Sequence, residues 1–352
     1  MYRSKEEVEF LYKKLENGNI QCLACNKYCV MKEGKTGVCG VRRNLNGKLD
    51  LIVYGKVIGP GPSPMEKKPM FHFLPGTNTY SIATVGCNFT CKFCQNWDIS
   101  QCTRRIKEAG GEYAGKVGKY GYPMTPEQVV KEAKRHKCST IAYTYNEPTI
   151  FVEYALECGK LAHQEGMKNV YVTNGYESKE CIDKMEGIID GMNIDLKGFT
   201  EKFYLSMANA HLQPVLETIK YAKQKGIWVE ITTLIIPDEN DSDEELTNIA
   251  TFIHSIDPGM PWHISAFHPD YLMEDKPRTP LKTLQRAYNI GTKVGLHYIY
   301  CGNVVDPERE ATYCKKCKAP LMKRNRFITS KTENFDNGRC KKCGEMCDGV
   351  WK

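Results

Sequence analysis

The feature that most constrains the fold is an alternation of short apolar runs with helix-like segments, which extends from about residue 76 to residue 306. The strand-like runs occupy residues 80–85, 140–145, 169–173, 192–195, 228–235, 262–266 and, more weakly, 297–301. The helix-like segments occupy residues 125–136, 149–165, 179–185, 214–225, 243–255 and 283–294. Several of these segments are followed by a glycine suited to a left-handed cap, namely Gly166, Gly226 and Gly295. Strand–helix repetition predicts an α/β fold with a parallel sheet, here a partial (β/α)6 TIM-like barrel.

The segments on either side of this repeat have a different character. Residues 1–7 open a polar helix, and a Gly/Pro-rich connector at 59–64 excludes a helix or a central strand there. After Pro307 the strand–helix pattern stops and the chain becomes rich in lysine. We therefore predict an N-terminal cysteine-rich module at 1–75, a core domain at 76–306 and a C-terminal module at 307–352.

Composition limits the compartment and the partners. The sequence has seventeen cysteines but no 18-residue apolar stretch and no secretion signal at its start, which predicts a cytoplasmic protein with metal-binding cysteines rather than disulfides. The net charge of +7 is spread thinly. Its densest clusters, at 314–318 and 323–326, are typical of solvated faces, so no nucleic acid is expected.

One group of three cysteines directly follows the first predicted strand: Cys87, Cys91 and Cys94. Iron–sulfur cubes usually have four thiolate ligands, so three would leave one iron open to a small molecule. A zinc knuckle, or a ferredoxin-type cluster with a distant fourth cysteine, is the alternative, although zinc loops commonly contain CxxC pairs. The position at the C-terminal end of a barrel strand favours a catalytic site.

Two further groups of four cysteines flank the core. The C-terminal group has the spacing of a zinc-ribbon or rubredoxin-like site, where zinc would be structural and iron could pass electrons: Cys314, Cys317, Cys340 and Cys343. The N-terminal group predicts a zinc site, an auxiliary [4Fe-4S] cluster or an unmetallated packed set: Cys22, Cys25, Cys29 and Cys39. The scattered cysteines are expected to be small buried side chains: Cys102, Cys138, Cys158, Cys181 and Cys301. Cys347 is ambiguous.

Polar residues at the ends of later strands are candidates for ligand binding. Asp195 and Lys197 follow the fourth strand with the i, i+2 spacing that puts both side chains on one face, or they form an ion pair at the barrel mouth. His263 and His268 lie around the sixth strand, where they bind a cofactor, act on a substrate or are structural. On the fifth strand, Thr232 shares an inward face with Trp228 and Glu230.

The three-cysteine motif, with the aromatic Phe93 before its third cysteine, resembles the radical S-adenosylmethionine (SAM) signature. Segments 66–73, 85–89, 94–100, 143–149, 262–265 and 349–351, with the N-terminal cysteines, resemble the radical SAM member of the AmmeMemoRadiSam system over essentially the whole chain. That family is similar to pyruvate formate-lyase activating enzymes. The chain departs from its pattern at Ala266, where arginine is expected, and at 305–306, where Pro-Gly is usual.

The resemblance implies an oxidoreductase in which a [4Fe-4S] cluster reductively cleaves SAM. The products are methionine and a 5′-deoxyadenosyl radical, which abstracts hydrogen from an unidentified substrate. From the family motifs and the strand-end residues we expect the cofactor to contact Phe93, Asn96, Asn146, Glu147, Thr173, Asn174, Asp195, Lys197, Thr232, His263 and His268.

Two other functions stay open at this point: activation of a glycyl-radical enzyme, and non-catalytic iron–sulfur electron transfer. The resemblance also implies an electron donor such as reduced flavodoxin or ferredoxin. The other AmmeMemoRadiSam proteins are candidate partners, and no membrane partner is expected.

Overall fold

The computed structural model describes residues 9–108 and 112–352, so the polar helix predicted at residues 1–7 lies outside the described residues. The strands are β1 (Tyr12–Lys14), β2 (Ile20–Cys22), β3 (Val30–Met31), β4 (Arg42–Leu45), β5 (Lys48–Leu51), β6 (Lys56–Pro64), β7 (Asn78–Ala83), β8 (Tyr122–Pro123), β9 (Thr140–Tyr143), β10 (Lys168–Thr173), β11 (Gly191–Asp195), β12 (Trp228–Ile235), β13 (Trp262–Ala266), β14 (Ile299–Gly302), β15 (Thr312–Tyr313), β16 (Pro320–Asn325), β17 (Ile328–Lys331), β18 (Phe335–Asp336) and β19 (Arg339–Cys340). The α-helices are α1 (Trp97–Ser100), α2 (Cys102–Glu108), α3 (Tyr113–Val117), α4 (Pro126–Arg135), α5 (Val152–Gln164), α6 (Lys179–Met185), α7 (Glu201–Phe203), α8 (Leu212–Gln224), α9 (Asp243–Ile256), α10 (Leu281–Val294) and α11 (Pro307–Glu310).

The main sheet has nine strands in the order β14-β13-β12-β11-β10-β9-β7-β6-β8. The strands from β7 to β14, apart from β8, run parallel to their neighbours in this series. Helices α4, α5, α6, α8, α9 and α10 lie between them in the chain, so the predicted alternation is confirmed. The weak seventh run forms β14. The sheet is open, because β14 and β8 stand at its two ends.

The Gly/Pro-rich connector continues β6, which pairs antiparallel with β7. On its other side, β8 pairs only with Lys56 and Val57, so residues 59–64 form an edge. Proline lacks the N–H that a second neighbour would need, which explains why this stretch is an extended edge segment and not a central strand. Because β6 precedes residue 76, the main sheet extends upstream of the predicted core boundary, which stays a prediction.

The N-terminal residues form a three-stranded antiparallel sheet, β1-β2-β3, and the β4–β5 hairpin. Their apolar side chains, such as Ile20 and Met31, join the same hydrophobic core as the barrel strands. An isolated bridge between Cys25 and Glu177 attaches this region to the loop after β10.

The C-terminal residues form the β15-β16-β17 sheet and the β18–β19 hairpin. They pack around a second apolar cluster that includes Phe71, Tyr298 and Tyr300 of the barrel. Within the two described ranges, no helix has the length and apolarity to cross a membrane.

Candidate active site

A cavity of about 1070 Å³ opens at the C-terminal ends of the parallel strands. The residues expected to contact the cofactor all line this cavity except His268: Phe93, Asn96, Asn146, Glu147, Thr173, Asn174, Asp195, Lys197, Thr232 and His263. His268 lies beyond the end of β13, where its ring faces the carbonyl of Pro269 at 3.2 Å. His268 is therefore not part of the cavity lining, and its contact with the cofactor stays a prediction.

Cys87, Cys91 and Cys94 line the same cavity on the loop after β7. The backbone of this loop is fixed from outside, since the N–H groups of Thr90 and Lys92 donate to the carbonyls of Ala208 and Met207 at 3.0 and 2.9 Å. These acceptors belong to a π-helical turn, Tyr204–Ala208, a feature often found at functional sites. The loop is thus held in shape before any cofactor binds.

The three thiols of this loop are spaced more widely than the ligands of a single tetrahedral metal ion. A tetrahedral zinc site with Zn–S of about 2.3 Å has sulfurs about 3.8 Å apart, whereas the three sulfurs of this loop do not all lie within 4.8 Å of one another. The backbone N–H of Phe89 donates to Cys87 Sγ at 3.4 Å, and Ser100 Oγ lies 3.1 Å from Cys94 Sγ. Hydrogen bonds to sulfur stabilise cluster thiolates, so the donor set fits a [4Fe-4S] cluster.

The Asp195 carboxylate and the Lys197 ammonium form an ion pair of 2.8 Å at the end of β11. Burial lowers the pKa of Lys197, but the charges of Asp195 and Cys91 outweigh it and raise that pKa above the ordinary value. Burial raises the pKa of the Cys91 thiol to about 12, while Lys197 acts in the opposite direction. Lys197 also lies 5.7 Å from the centre of the Phe93 ring. The permanent cation therefore faces the cysteine loop.

Glu147 is buried beside the cavity with its carboxylate held by three neighbours. It accepts hydrogen bonds from the backbone N–H groups of Asn174 at 2.8 Å and Thr149 at 3.0 Å, and from the Thr173 hydroxyl at 2.9 Å. Burial, reinforced by the nearby Glu177 carboxylate, raises the pKa of Glu147 to about 7. This carboxylate therefore joins the ends of β9 and β10.

The Asn146 side chain connects the segment after β9 to the start of the cysteine loop. Its side-chain amide donates to the carbonyl of Gly86 at 2.9 Å and to the Thr84 hydroxyl at 3.1 Å. Asn96 makes a similar contact from the far side of the cysteine loop, donating to the carbonyl of Tyr145 at 3.0 Å. The two amides fasten both ends of the loop to the segment after β9.

Comparison with known proteins assigns the chain to a family. The Radical SAM superfamily matches residues 81–250. The chain is 44% identical over 343 residues to uncharacterized protein MJ0808 of Methanocaldococcus jannaschii, covering 96% of this chain and 98% of that protein. The chain belongs to the radical SAM superfamily.

Two more distant relatives carry activating-enzyme names. Putative glycyl-radical enzyme activating enzyme MJ1632 of M. jannaschii is 29% identical over 53% of this chain and 66% of its own length. Pyruvate formate-lyase-activating enzyme of Listeria monocytogenes is 22% identical over 49% of this chain and 67% of its own length. With the superfamily match, these relatives establish that the chain is an enzyme that cleaves SAM at an iron–sulfur cluster.

In this radical SAM chain the histidine of β13 belongs to a buried network. His263 Nε2 lies 2.7 Å from Oε2 of Glu230. Oε2 also accepts the backbone N–H of Phe71, and Oε1 accepts the backbone N–H of His72, both at 2.9 Å. The Thr232 hydroxyl donates to the Asn193 side chain at 2.8 Å. His263 is thus oriented by a carboxylate below the cavity floor.

Several other residues that line the radical SAM cavity were not among the expected cofactor contacts. Arg278 and Val305 come from the loops after β13 and β14, and Arg326 and Phe327 come from the turn between β16 and β17. Lys68 lines the cavity from the segment after β6. These positions lie on irregular segments far apart in the chain, and no spacing pattern connects them.

The C-terminal cysteines form the one group of three or more metal-ligating side chains in residues 9–108 and 112–352 whose ligand atoms lie within 4.8 Å of one another. Cys314 and Cys343 have sulfurs 3.5 Å apart, and Cys317 and Cys340 have sulfurs 3.7 Å apart. These distances match the roughly 3.8 Å expected around one tetrahedral metal. The group could hold a single metal ion.

Proposed function

We propose that Cys87, Cys91 and Cys94 ligate the SAM-cleaving [4Fe-4S] cluster and that the resulting radical abstracts hydrogen from a substrate bound in the same cavity. The observation that carries the proposal is the meeting of these three thiols with the Asp195–Lys197 pair in one cavity of about 1070 Å³. This volume exceeds the range of about 300–1,000 Å³ of sites for single small molecules. It supports the binding of SAM together with a second molecule.

A cluster held by Cys87, Cys91 and Cys94 would supply the electron that cleaves the sulfur–C5′ bond of SAM. The residues of the chain bind and orient. Asp195 and Lys197 present one acceptor and one cation from the same strand end, suited to the polar groups of SAM. His263, held by Glu230, lines the cavity and offers an oriented imidazole to SAM or the substrate.

The test is anaerobic incubation of the reconstituted, dithionite-reduced protein with SAM, followed by measurement of 5′-deoxyadenosine and methionine. Cys91→Ala should abolish both products, whereas Cys138→Ala, a buried cysteine outside the cavity, should retain them. Deoxyadenosine formation by Cys91→Ala at the wild-type rate would contradict the assignment of Cys91 as a cluster ligand. Deuterium transfer from candidate substrates into deoxyadenosine then identifies the molecule attacked.

A second candidate function is activation of a glycyl-radical enzyme, favoured by the names of two relatives. In that reaction the hydrogen comes from a backbone glycine of a partner protein. A glycyl-radical EPR signal on a co-purified protein, with deuterium transfer from its α-deuterated glycine, would select this function over small-molecule chemistry.

For the accessory components, the C-terminal thiols support a structural zinc ion and the enzyme's need for one electron supports reduced flavodoxin or ferredoxin as donor. The other AmmeMemoRadiSam proteins are proposed partners on the sequence resemblance alone. Co-purification from native extract, followed by a two-component binding titration, tests that partnership.

A further inference from the structure

The four N-terminal cysteines surround a small enclosed cavity of their own. Its walls include Cys22, Cys25, Cys29 and Cys39 and present almost no polar surface. Three of the thiols are buried and Cys29 is partly exposed. The thiol side chains therefore do not pack against one another closely enough to fill the space between them.

The distances between sulfurs distinguish the N-terminal cysteine group from the C-terminal one. In the described part of the chain, no three of the N-terminal sulfurs lie mutually within 4.8 Å, in contrast to the C-terminal thiols. The set is therefore too wide for one tetrahedral zinc ion, whose sulfurs lie about 3.8 Å apart. The spacing resembles that of the Cys87 loop, which also fails this criterion.

Two buried polar groups face the N-terminal thiols. The Arg42 Nε–H donates to Cys22 Sγ at 3.2 Å, which places a cation against a ligand sulfur. Asn88 lines the cavity and is 2% exposed, and its side-chain nitrogen has no hydrogen-bond partner. An unpaired buried N–H group is costly, and cluster sulfurs are acceptors that would satisfy it.

Asn88 also connects this cavity to the SAM-cleaving site. It follows Cys87 in the chain, and its side-chain oxygen lies 3.7 Å from Cys87 Sγ. The two cysteine loops touch nearby, since a Cβ added at Gly86 would stand 2.7 Å from the Cys39 carbonyl oxygen. The Asn88 side chain and the close approach of Gly86 to the Cys39 carbonyl thus connect the two groups of cysteines.

We propose that Cys22, Cys25, Cys29 and Cys39 hold a second [4Fe-4S] cluster that passes electrons to the SAM-cleaving cluster. This inference rests on the proposed function for its electron acceptor. Four thiolates would occupy every iron, so this cluster has no open site for SAM or substrate. Its role is a one-electron relay: a reduced carrier protein is oxidised by one electron, and that electron passes through this cluster to the Cys87 site, where SAM cleavage consumes it.

Metal and sulfide content tests the site directly. After anaerobic reconstitution, the wild-type protein should contain about eight irons and eight acid-labile sulfides beyond the C-terminal metal. Cys87→Ala/Cys91→Ala/Cys94→Ala should retain about four of each, as should Cys22→Ser/Cys25→Ser. Cys138→Ser is the control for loss of a buried thiol. Loss of all sulfide from the Cys87/Cys91/Cys94 variant, or zinc in place of iron there, would overturn the inference.

Full sulfide retention by the Cys87/Cys91/Cys94 variant would instead overturn the proposed function, so the two failures are distinguishable. The wild-type sulfide count keeps the test decisive if a variant fails to fold, because about four sulfides would already contradict two clusters.

The choice of reductant tests the relay. Dithionite is small enough to reduce the SAM-cleaving cluster directly, so Cys22→Ser/Cys25→Ser should still form deoxyadenosine with dithionite and should keep the SAM-induced change in the cluster EPR signal. With reduced flavodoxin, the rate of deoxyadenosine formation by the same variant should fall by about tenfold or more. A tenfold loss of rate is equivalent to roughly 1.4 kcal/mol. Equal rates with flavodoxin for wild type and variant would contradict the relay.

Discussion

The Arg42 guanidinium grips the Glu153 carboxylate with two hydrogen bonds of 2.6 and 2.7 Å, and both side chains are buried. Arg42 belongs to β4 and Glu153 to α5, so the pair fastens the N-terminal cysteine region to the barrel. A third contact, from the same guanidinium to Cys22 Sγ, connects the pair to a thiol of the N-terminal group.

Glu153→Ala should therefore lower the free energy of unfolding by about 3–5 kcal/mol, because it leaves a buried cation without its partner. The matched control is Asp50→Ala, which breaks the neighbouring Arg43–Asp50 pair of 2.8 Å in partly exposed surroundings and should cost about 1 kcal/mol or less. Anaerobic urea denaturation of both variants measures the difference. Equal losses would contradict the structural role given to the buried pair.

Gly86 is predicted not to tolerate substitution by a residue with a side chain. Its φ of +95° is left-handed, and an added Cβ would stand 2.7 Å from the Cys39 carbonyl oxygen. Gly86→Ala should thus reduce iron content at both cysteine groups. Gly166→Ala is the control, since Gly166 has φ +72° with no atom within 4 Å, so it should incur only the backbone cost of about 1 kcal/mol. Iron analysis after reconstitution distinguishes them, and unchanged iron in Gly86→Ala would refute the prediction.

Lys197→Met should raise the SAM concentration needed for half-maximal cleavage by about tenfold or more, because a cation that faces both Asp195 and the cysteine loop is removed. Lys202→Met, an exposed lysine on α7, serves as the control for loss of charge. Isothermal titration with SAM gives a readout independent of turnover. Unchanged SAM affinity would remove Lys197 from the binding site.

Lys68 gives the enzyme a pH-dependent stability. Burial, with a smaller contribution from Lys67, lowers the pKa of Lys68 to about 7, and the ammonium nitrogen contacts the Ser81 hydroxyl at 2.7 Å. The unfolded chain therefore binds more protons than the folded one between about pH 7 and 10.5, so stability rises with pH across that window. A shift of this size corresponds to about 5 kcal/mol.

Lys68→Met should be more stable than wild type at pH 6.5 and lose most of that advantage by pH 10, as thermal melts at both values would reveal. A constant difference would contradict the lowered pKa.

The C-terminal metal should depend on four cysteines and not on the fifth. Cys340→Ser should lose one bound metal per chain and melt at a lower temperature, because a tetrahedral thiolate site stabilises a small module that has little core of its own. Cys347→Ser should keep the metal, since Cys347 lies outside the group and its sulfur faces His72 Nδ1 at 4.0 Å. Metal analysis of the two variants decides, and metal loss from Cys347→Ser would show that the ligand set is wrong.

Periodicity and caps predicted most of the core from sequence. β12 and β13 begin and end at the predicted residues, and Gly295 has the expected left-handed conformation after α10. These features are local: alternating apolar residues define a strand, and a positive φ demands glycine. The position of β6 in the sheet could not be predicted from local patterns, because it depends on pairing with β7 and not on the composition of β6 itself.

The cavity lining could be predicted from the sequence where it follows strand ends, but not where loops form it. Asp195 and Thr173 close their strands and line the cavity as expected. His268, two residues past β13, does not, because a spacing argument fails once the strand has ended. The dyad of His263 and Glu230 joins two adjacent strands, and only their register, unknown from the sequence, brings the two side chains together.

The turn between β16 and β17 carries Arg326 and Phe327 to the rim of the cavity, while the same small module closes around the thiols of Cys314 and Cys340. Part of the cavity lining is therefore contributed by a module whose four clustered cysteines could hold a metal ion. We expect removal of a metal from these thiols to displace Arg326 and Phe327, and so to change which substrates the cavity accepts while the Cys87 loop keeps its shape.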